Sequence, residues 1–332
     1  MNEHVNPVAA AGLPSARAAG TAGSPVPPQP VPRRRWRVSP RWAPYLFVAP
    51  FYLLFAVFGL FPLLFSLFLA FHSWEPTSGL AAMRWVGVEN FAFALDDEWF
   101  WKALGNTLWL ALASGLPQHL VALGLAVYLQ GLRPRQRDLT SGAYFLPYIT
   151  STVAVAIMFS SLFSTDFGLV NALLGAIAGI APIDWLDTPA GLQAAITFIV
   201  FWRFVGFNTM LYLAALQTIP AELYEAATLD GASRWRQFLH ITLPGLRPMM
   251  YFGVTLSVIG GLQLFEEPFI LTGGRGGTDQ AGMTAAVYLY RMAFDFNDFG
   301  GASAMSWLLC GVVALLTWTT NRAFAVRRAG RA

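Results

Sequence analysis

Three ionisable side chains, Arg203, Glu266 and Glu267, stand in stretches otherwise too apolar for water. At membrane depth a charge is costly, and it marks a solute path, a charge relay or an internal ion pair. The same two stretches carry Trp202, Phe207, Asn208 and Tyr212 on one, and Ser257, Gly261 and Gln263 on the other. Asn, Ser and Gln offer hydrogen bonds and the aromatic rings offer flat apolar faces, the combination found in pockets for small polar molecules. Plain packing uses the same residues, since Ser, Asn and Gln bond across spans and Gly261 lets two backbones approach. His72 and His119 occur singly and read as packing or interface residues, not metal ligands. The single cysteine, Cys310, excludes a disulfide framework or a thiolate cluster within one chain.

A second group of candidates lies at 218–248. Pro220 suits a helix start, Glu222 favours the same end by the macrodipole, and Gly231 fits the left-handed position that ends a helix. A second short helix is expected from Ser233 to Pro244. Leu223, Ala226 and Ala227 would share an apolar face on the first helix, and Trp235, Phe238, Leu239 and Thr242 on the second. Glu222, Glu225 and Asp230 edge the first helix. Helices this short are marginal in water. They must pack, either on the membrane surface and the chain's own helix ends or, through the acid-rimmed small-residue face, on another protein.

The elements that hold these groups follow from composition. Of 332 residues, 56% are hydrophobic and only 12% are charged, against roughly 25% charged in a soluble domain. Mean hydropathy is +0.52. The excess apolar surface must face lipid. Six stretches, near 45–71, 106–130, 142–163, 193–217, 249–272 and 301–321, reach the ~20 residues a spanning helix needs. Continuous apolar runs exclude a barrel, whose strands alternate. Between the third and fourth stretches, Val170 to Ile183 is apolar enough to lie in the interface.

Basic residues set the orientation. Of the 21 Lys and Arg, 16 fall in the N-terminus, 131–141, 218–248 and the C-terminus, and only Arg84, Lys102, Arg275 and Arg291 in the opposite loops. Both termini and the 218–248 loop are therefore expected in the cytoplasm. The opposite loops are acidic, with Asp96-Asp97-Glu98, Asp166, Asp184 and Asp187. Residues 1–42 read as a disordered tail ending in a basic collar (Arg33, Arg34, Arg35, Arg37, Arg41), without the apolar core of a signal peptide. Residues 326–332 read as a basic cytoplasmic tail. The collar suits lipid headgroups. No basic soluble module exists to bind nucleic acid.

The spacing of 218–248 adds a resemblance. Glu225-Ala226-Ala227, three residues, Gly231, nine residues and Ile241-Thr242-Leu243-Pro244 resemble the loop signature of permease subunits in binding-protein-dependent ABC importers, with no departure from the pattern. The flanks resemble the sugar-permease branch related to the maltose and glycerol-3-phosphate importers. Upstream these are Trp202, Gly206, Asn208, Tyr212-Leu213-Ala214, Leu216-Gln217 and Ile219-Pro220. Downstream they are Phe265-Glu266-Glu267-Pro268, Leu271-Thr272-Gly273-Gly274 and Ala302-Ser303-Ala304. The similarity covers roughly residues 43–325.

The resemblance implies an all-α membrane protein of the type I importer permease kind: a six-helix domain over 43–325 with a cytoplasmic coupling loop at 218–248. It implies that Glu225, Ala226, Ala227, Asp230, Gly231, Ile241, Leu243 and Pro244 couple to a separate ATPase. Spans flanking the loop would line the solute path, singling out Trp202, Phe207, Asn208, Tyr212, Ser257, Gly261, Gln263 and Glu266. Expected partners are a second homologous permease, two ATP-binding subunits, an extracytoplasmic solute-binding protein, a carbohydrate and membrane lipid, in a bacterial inner membrane. No cofactor is expected in this chain, ATP and Mg²⁺ belonging to the ATPase. Gly260-Gly261, Gly273-Gly274 and Gly276-Gly277 lack the following Lys and hydroxyl of a phosphate-cradling loop. An ion-coupled carrier using Arg203 and Glu266 as a relay is the alternative. A membrane enzyme is the poorest reading, for no matched nucleophile and base is present, and Asp96-Asp97 lacks the second acidic motif of metal-diphosphate chemistry.

Overall fold

The computed structural model describes residues 41–325; the tail expected before 41, with all of its collar but Arg41, and the tail expected at 326–332 lie outside them. The described chain is helical but for one two-stranded antiparallel ribbon, β1 (His72–Ser73) with β2 (Arg84–Trp85), in the register His72 opposite Trp85. Among the described residues, five helices are long and apolar enough to cross a membrane, and six if one bent pair counts as a span.

The first span runs over Ala43–Leu69, as α1 (Ala43–Phe55), a π-turn at Ala56–Leu60, and α2 (Phe61–Leu69). The boundary between two compact units falls within it, at Leu54 and Phe55, and the second unit holds every element after α1. After α3 (Glu89–Asp96), the second span is α4 (Glu98–Gln130), well longer than 106–130, because Asp97 caps it by accepting from the Trp99 amide at 2.9 Å.

The third span differs most from the straight helix expected at 142–163. It comprises α5 (Pro134–Ile149) and α6 (Thr152–Leu162), bent by 93°. Pro147 withholds a donor within α5, and Thr150 and Ser151 adopt non-helical backbone between the two. The apolar 170–183 segment holds a helix, α7 (Leu169–Ala178), too short to span.

The fourth span, α8 (Pro189–Leu216), is central, packing on α4 and α5. At Gly206 its backbone meets α5 so closely that a Cβ would lie 1.7 Å from the Tyr144 carbonyl oxygen, so glycine is required there for contact and not for conformation. Two short helices follow, α9 (Ala221–Leu229) and α10 (Arg234–Gln237). The expected end at Pro244 does not occur. A π-turn at Phe238–Thr242 leads without a break into α11 (Leu243–Leu262), with Pro244 in its first turn, where a missing donor costs little. The chain breaks at Gln263–Phe265 and resumes as α12 (Glu266–Thr272).

The loop expected at 273–300 conceals another helix, α13 (Ala285–Phe294), before the last span, α14 (Phe299–Ala325). Val287, Tyr288, Met292 and Ala293 of α13 are buried against Ala94, Phe100, Ala103, Ala302 and Met305 of α3, α4 and α14. Thr284 caps α13, and the Tyr288 hydroxyl donates to Asp97 Oδ2 at 2.5 Å. Burial pushes the Tyr288 phenol above its ordinary pKa, the Asp97 carboxylate pushes it further, and Tyr288 stays a donor at any working pH. Tyr288→Phe leaves Asp97 one partner short and is expected to cost about 1.5 kcal/mol, read as a lower thermal midpoint in detergent.

Candidate functional site

The two groups of candidates occupy different places along α8 and α11. At one end is the corner made by α9 and α10. Gly231 has φ +73°, and the helix end closes through Gly231 N–H to Thr228 O at 3.0 Å and Ala232 N–H to Ala227 O at 2.9 Å, a Schellman arrangement. Ser233 caps α10. The Gln237 side-chain amide donates to Thr228 Oγ1 (3.0 Å) and Ala232 O (3.1 Å), and the hydroxyls of Tyr224 and Thr242 bond at 3.0 Å. Tyr224 is half-buried and Thr242 buried. The corner is thus tied within itself and onto the foot of α11.

The faces expected from the sequence are rearranged by this tying. Tyr224 and Ala227 turn inward on α9, while Leu223 and Ala226 are exposed. Phe238 and Thr242 turn inward at the second element, while Trp235 and Leu239 are exposed, with Trp235 stacked on Phe238 at 5.5 Å. Leu229, 89% exposed, stands beside them. The outer surface of the corner therefore combines Leu223, Leu229 and Trp235 with Glu222, Glu225 and Asp230, all exposed. None of the three acids is paired among the described residues.

At the other end is a cavity of about 460 Å³ bounded by α4, α5, α8, α11 and α12, within the ordinary size of solute pockets. Of the residues singled out for a solute path, Phe207, Ser257, Gly261, Gln263 and Glu266 line it; so do Arg203, Phe204 and Glu267. Trp202, Asn208 and Tyr212 do not. Helical periodicity explains the division: Val200, Arg203, Phe204 and Phe207 share one stripe of α8, and each residue beside them is turned by about 100°. Trp202 packs edge-on against Phe159 of α6 at 5.2 Å.

Asn208 and Tyr212 are buried against α4 and α11. Asn208 leaves both amide atoms unpartnered. Tyr212 reaches the cavity only through a relay: its hydroxyl bonds His119 Nδ1 at 2.7 Å, and His119 Nε2 bonds Ser257 Oγ at 3.0 Å. His119 is therefore a packing residue, as expected, but one that fixes a cavity hydroxyl.

Arg203 does not pair with Glu266. Its Nη1 donates to Glu267 Oε1 at 2.7 Å, the two side chains being 12% and 4% exposed. Adjacent positions on α12 differ by about 100°, and Glu267 is the one presented to α8. A relay between Arg203 and Glu266 has no direct geometry.

Sequence reasoning missed the α4 wall and Tyr148. Ala111, Ser114, Gly115 and Gln118 of α4 line the cavity, and their spacing of three and four residues, small and polar inside an apolar helix, is a legible signal. Tyr148 stacks on Phe207 at 4.6 Å with an interplanar angle of 24° and forms the aromatic wall; nothing local in its sequence distinguishes it from the neighbouring aromatics of α5.

With this geometry in place, comparison with known proteins is specific. The family model described as "Binding-protein-dependent transport system inner membrane component" matches residues 120–326. The lactose transport system permease protein LacF of Rhizobium radiobacter is 37% identical over 82% of this chain and 91% of its own length. The arabinooligosaccharides transport system permease protein AraP of Bacillus subtilis is 34% identical over 85% and 89%. Among solved structures, a bacterial ABC transporter involved in import of the acidic polysaccharide alginate superposes with TM-score 0.74 at 25% identity, over 86% of this chain and 95% of that one. The chain belongs to the family of binding-protein-dependent transport system inner membrane components.

Proposed function

We propose that this chain is the permease subunit of an ATP-driven importer of a carbohydrate and forms half of the solute path. The observation that carries the reading is the continuity of two helices. α8 and α11 present Phe207, Ser257 and Gly261 to the cavity at one end and hold the α9–α10 corner at the other. Both connections are short, so movement of the corner is passed to the cavity walls without an intervening flexible loop. The corner's exposed apolar and acidic surface suits a groove with basic residues on a separate ATPase, which binds ATP and Mg²⁺. Glu225, Ala226, Ala227, Asp230 and Gly231 form the docking element, and Ile241, Leu243 and Pro244 join it to α11.

A second permease closes the cavity from the opposite side, two ATPase subunits drive the cycle, and an extracytoplasmic binding protein delivers the sugar. The charge asymmetry supports the corner and both termini in the cytoplasm. ATP binding draws the two corners together and opens the cavity outward; hydrolysis returns it inward. The test is uptake by the assembled complex in proteoliposomes with its binding protein. Uptake is expected only with ATP inside or on the ATPase face and is indifferent to collapse of ion gradients. Uptake driven by an ion gradient without ATP would decide for an ion-coupled carrier.

A further inference from the structure

We infer that Glu266 sets the charge class of the solute, so that the cavity accepts neutral or amino-bearing saccharides and turns away carboxylate-bearing ones. The inference rests on the importer reading above and names the substrate class for its cavity. Among the lining residues only Arg203, Glu266 and Glu267 carry charge at neutral pH. Arg203 and Glu267 compensate each other at 2.7 Å in a nearly water-free contact. Glu266, exposed on the same wall, has no hydrogen bond or ion pair among the described residues.

One uncompensated carboxylate therefore faces a cavity whose other polar groups are neutral or, in the Arg203–Glu267 pair, compensated. Low-dielectric walls such as Phe204, Phe207 and Tyr148 strengthen its field. Its two oxygens accept hydrogen bonds from neighbouring hydroxyls of a sugar or from an ammonium group. A uronate brought to the same place meets a like charge, and such repulsion is an effective means of excluding a wrong ligand.

The field can be read without knowing the solute. Gly260 and Gly115 line the cavity, and a Cβ at either meets nothing within 4 Å. In a Cys310→Ala background, Gly260→Cys and Gly115→Cys each place one thiol on the wall. The assembled importer is treated with methanethiosulfonate reagents of similar size bearing either a quaternary ammonium or a sulfonate. The ratio of cationic to anionic modification rates is expected to exceed that of a free thiol by about tenfold. Glu266→Gln should bring the ratio to within about twofold of the free thiol, while joint replacement of Arg203 and Glu267 by Gln should leave it high.

A ratio that Glu266→Gln does not move overturns the inference. So does a cavity that neither reagent enters during ATP turnover, since a wall that small ions never reach cannot select a solute. ATP-dependent sugar uptake by the parent complex, measured in parallel, fails only if the importer reading is wrong and separates the two.

Discussion

Gly231→Pro is expected to lower solute-stimulated ATP hydrolysis and uptake of the assembled importer by about 100-fold, the scale on which a misplaced working part loses rate, while the chain still inserts. Proline fixes φ near −65° and removes the amide hydrogen. Gly231 needs φ +73° and spends its N–H on Thr228 O. Both requirements fail together, and the exit from α9 must swing away from α10. Gly231→Ala separates conformation from space: nothing stands within 4 Å of the added Cβ, so the cost is the left-handed backbone alone, about 1–2 kcal/mol, and most activity should remain. Glu225→Lys tests the surface instead of the corner. Glu225 is exposed and makes no ion pair among the described residues, so reversal should leave the fold intact and still uncouple hydrolysis from solute. Unchanged uptake in Gly231→Pro would remove the corner from the coupling path.

The corner was legible because its signals are local. Pro220, Gly231 and Ser233 each act within one turn, and the structure puts the helix ends beside all three. Its inward face was not, because Tyr224 of α9 finds its partner only in Thr242, eighteen residues on. Pro244 misled for a related reason: a π-turn at Phe238–Thr242 precedes it and places it in the first turn of α11, where its missing donor costs little. Hydropathy found the spans but could not see the 93° bend at Thr150–Ser151, since both arms are apolar. It also passed over α13, whose buried face includes Tyr288 and stands beside Arg291 and Asp295. The five lining residues anticipated within α8, α11, α12 and the break between α11 and α12 were found from residue type. Asn208 and Tyr212 have the right type on the wrong side of α8, a difference that only the neighbours of the helix decide.

Which glutamate Arg203 chooses is likewise a tertiary fact, and breaking the pair should have a large effect on stability. Glu267→Gln leaves a guanidinium in a contact that excludes water, and Arg203→Gln leaves a carboxylate there; each is expected to cost about 3–5 kcal/mol. Side-chain exposures of 12% and 4% make the penalty one of burial, with little relief from solvent. Arg203 Nε already lacks a hydrogen-bond partner among the described residues, so loss of Glu267 leaves the guanidinium only its approach to the Phe204 ring, 5.4 Å from the centroid. The double variant, Arg203→Gln with Glu267→Gln, removes both charges and should recover most of the loss, because neutral amides of similar length can bond across the same gap. Thermal midpoints of the detergent-solubilised complex read the cycle: two low values for the singles and a double close to the parent. A double variant as unstable as the singles would mean that the 2.7 Å contact is not what holds α12 against α8. The pair matters to transport through that attachment, since α12 carries Glu266, and a cavity whose charged wall is loose has lost the group that distinguishes one solute from another.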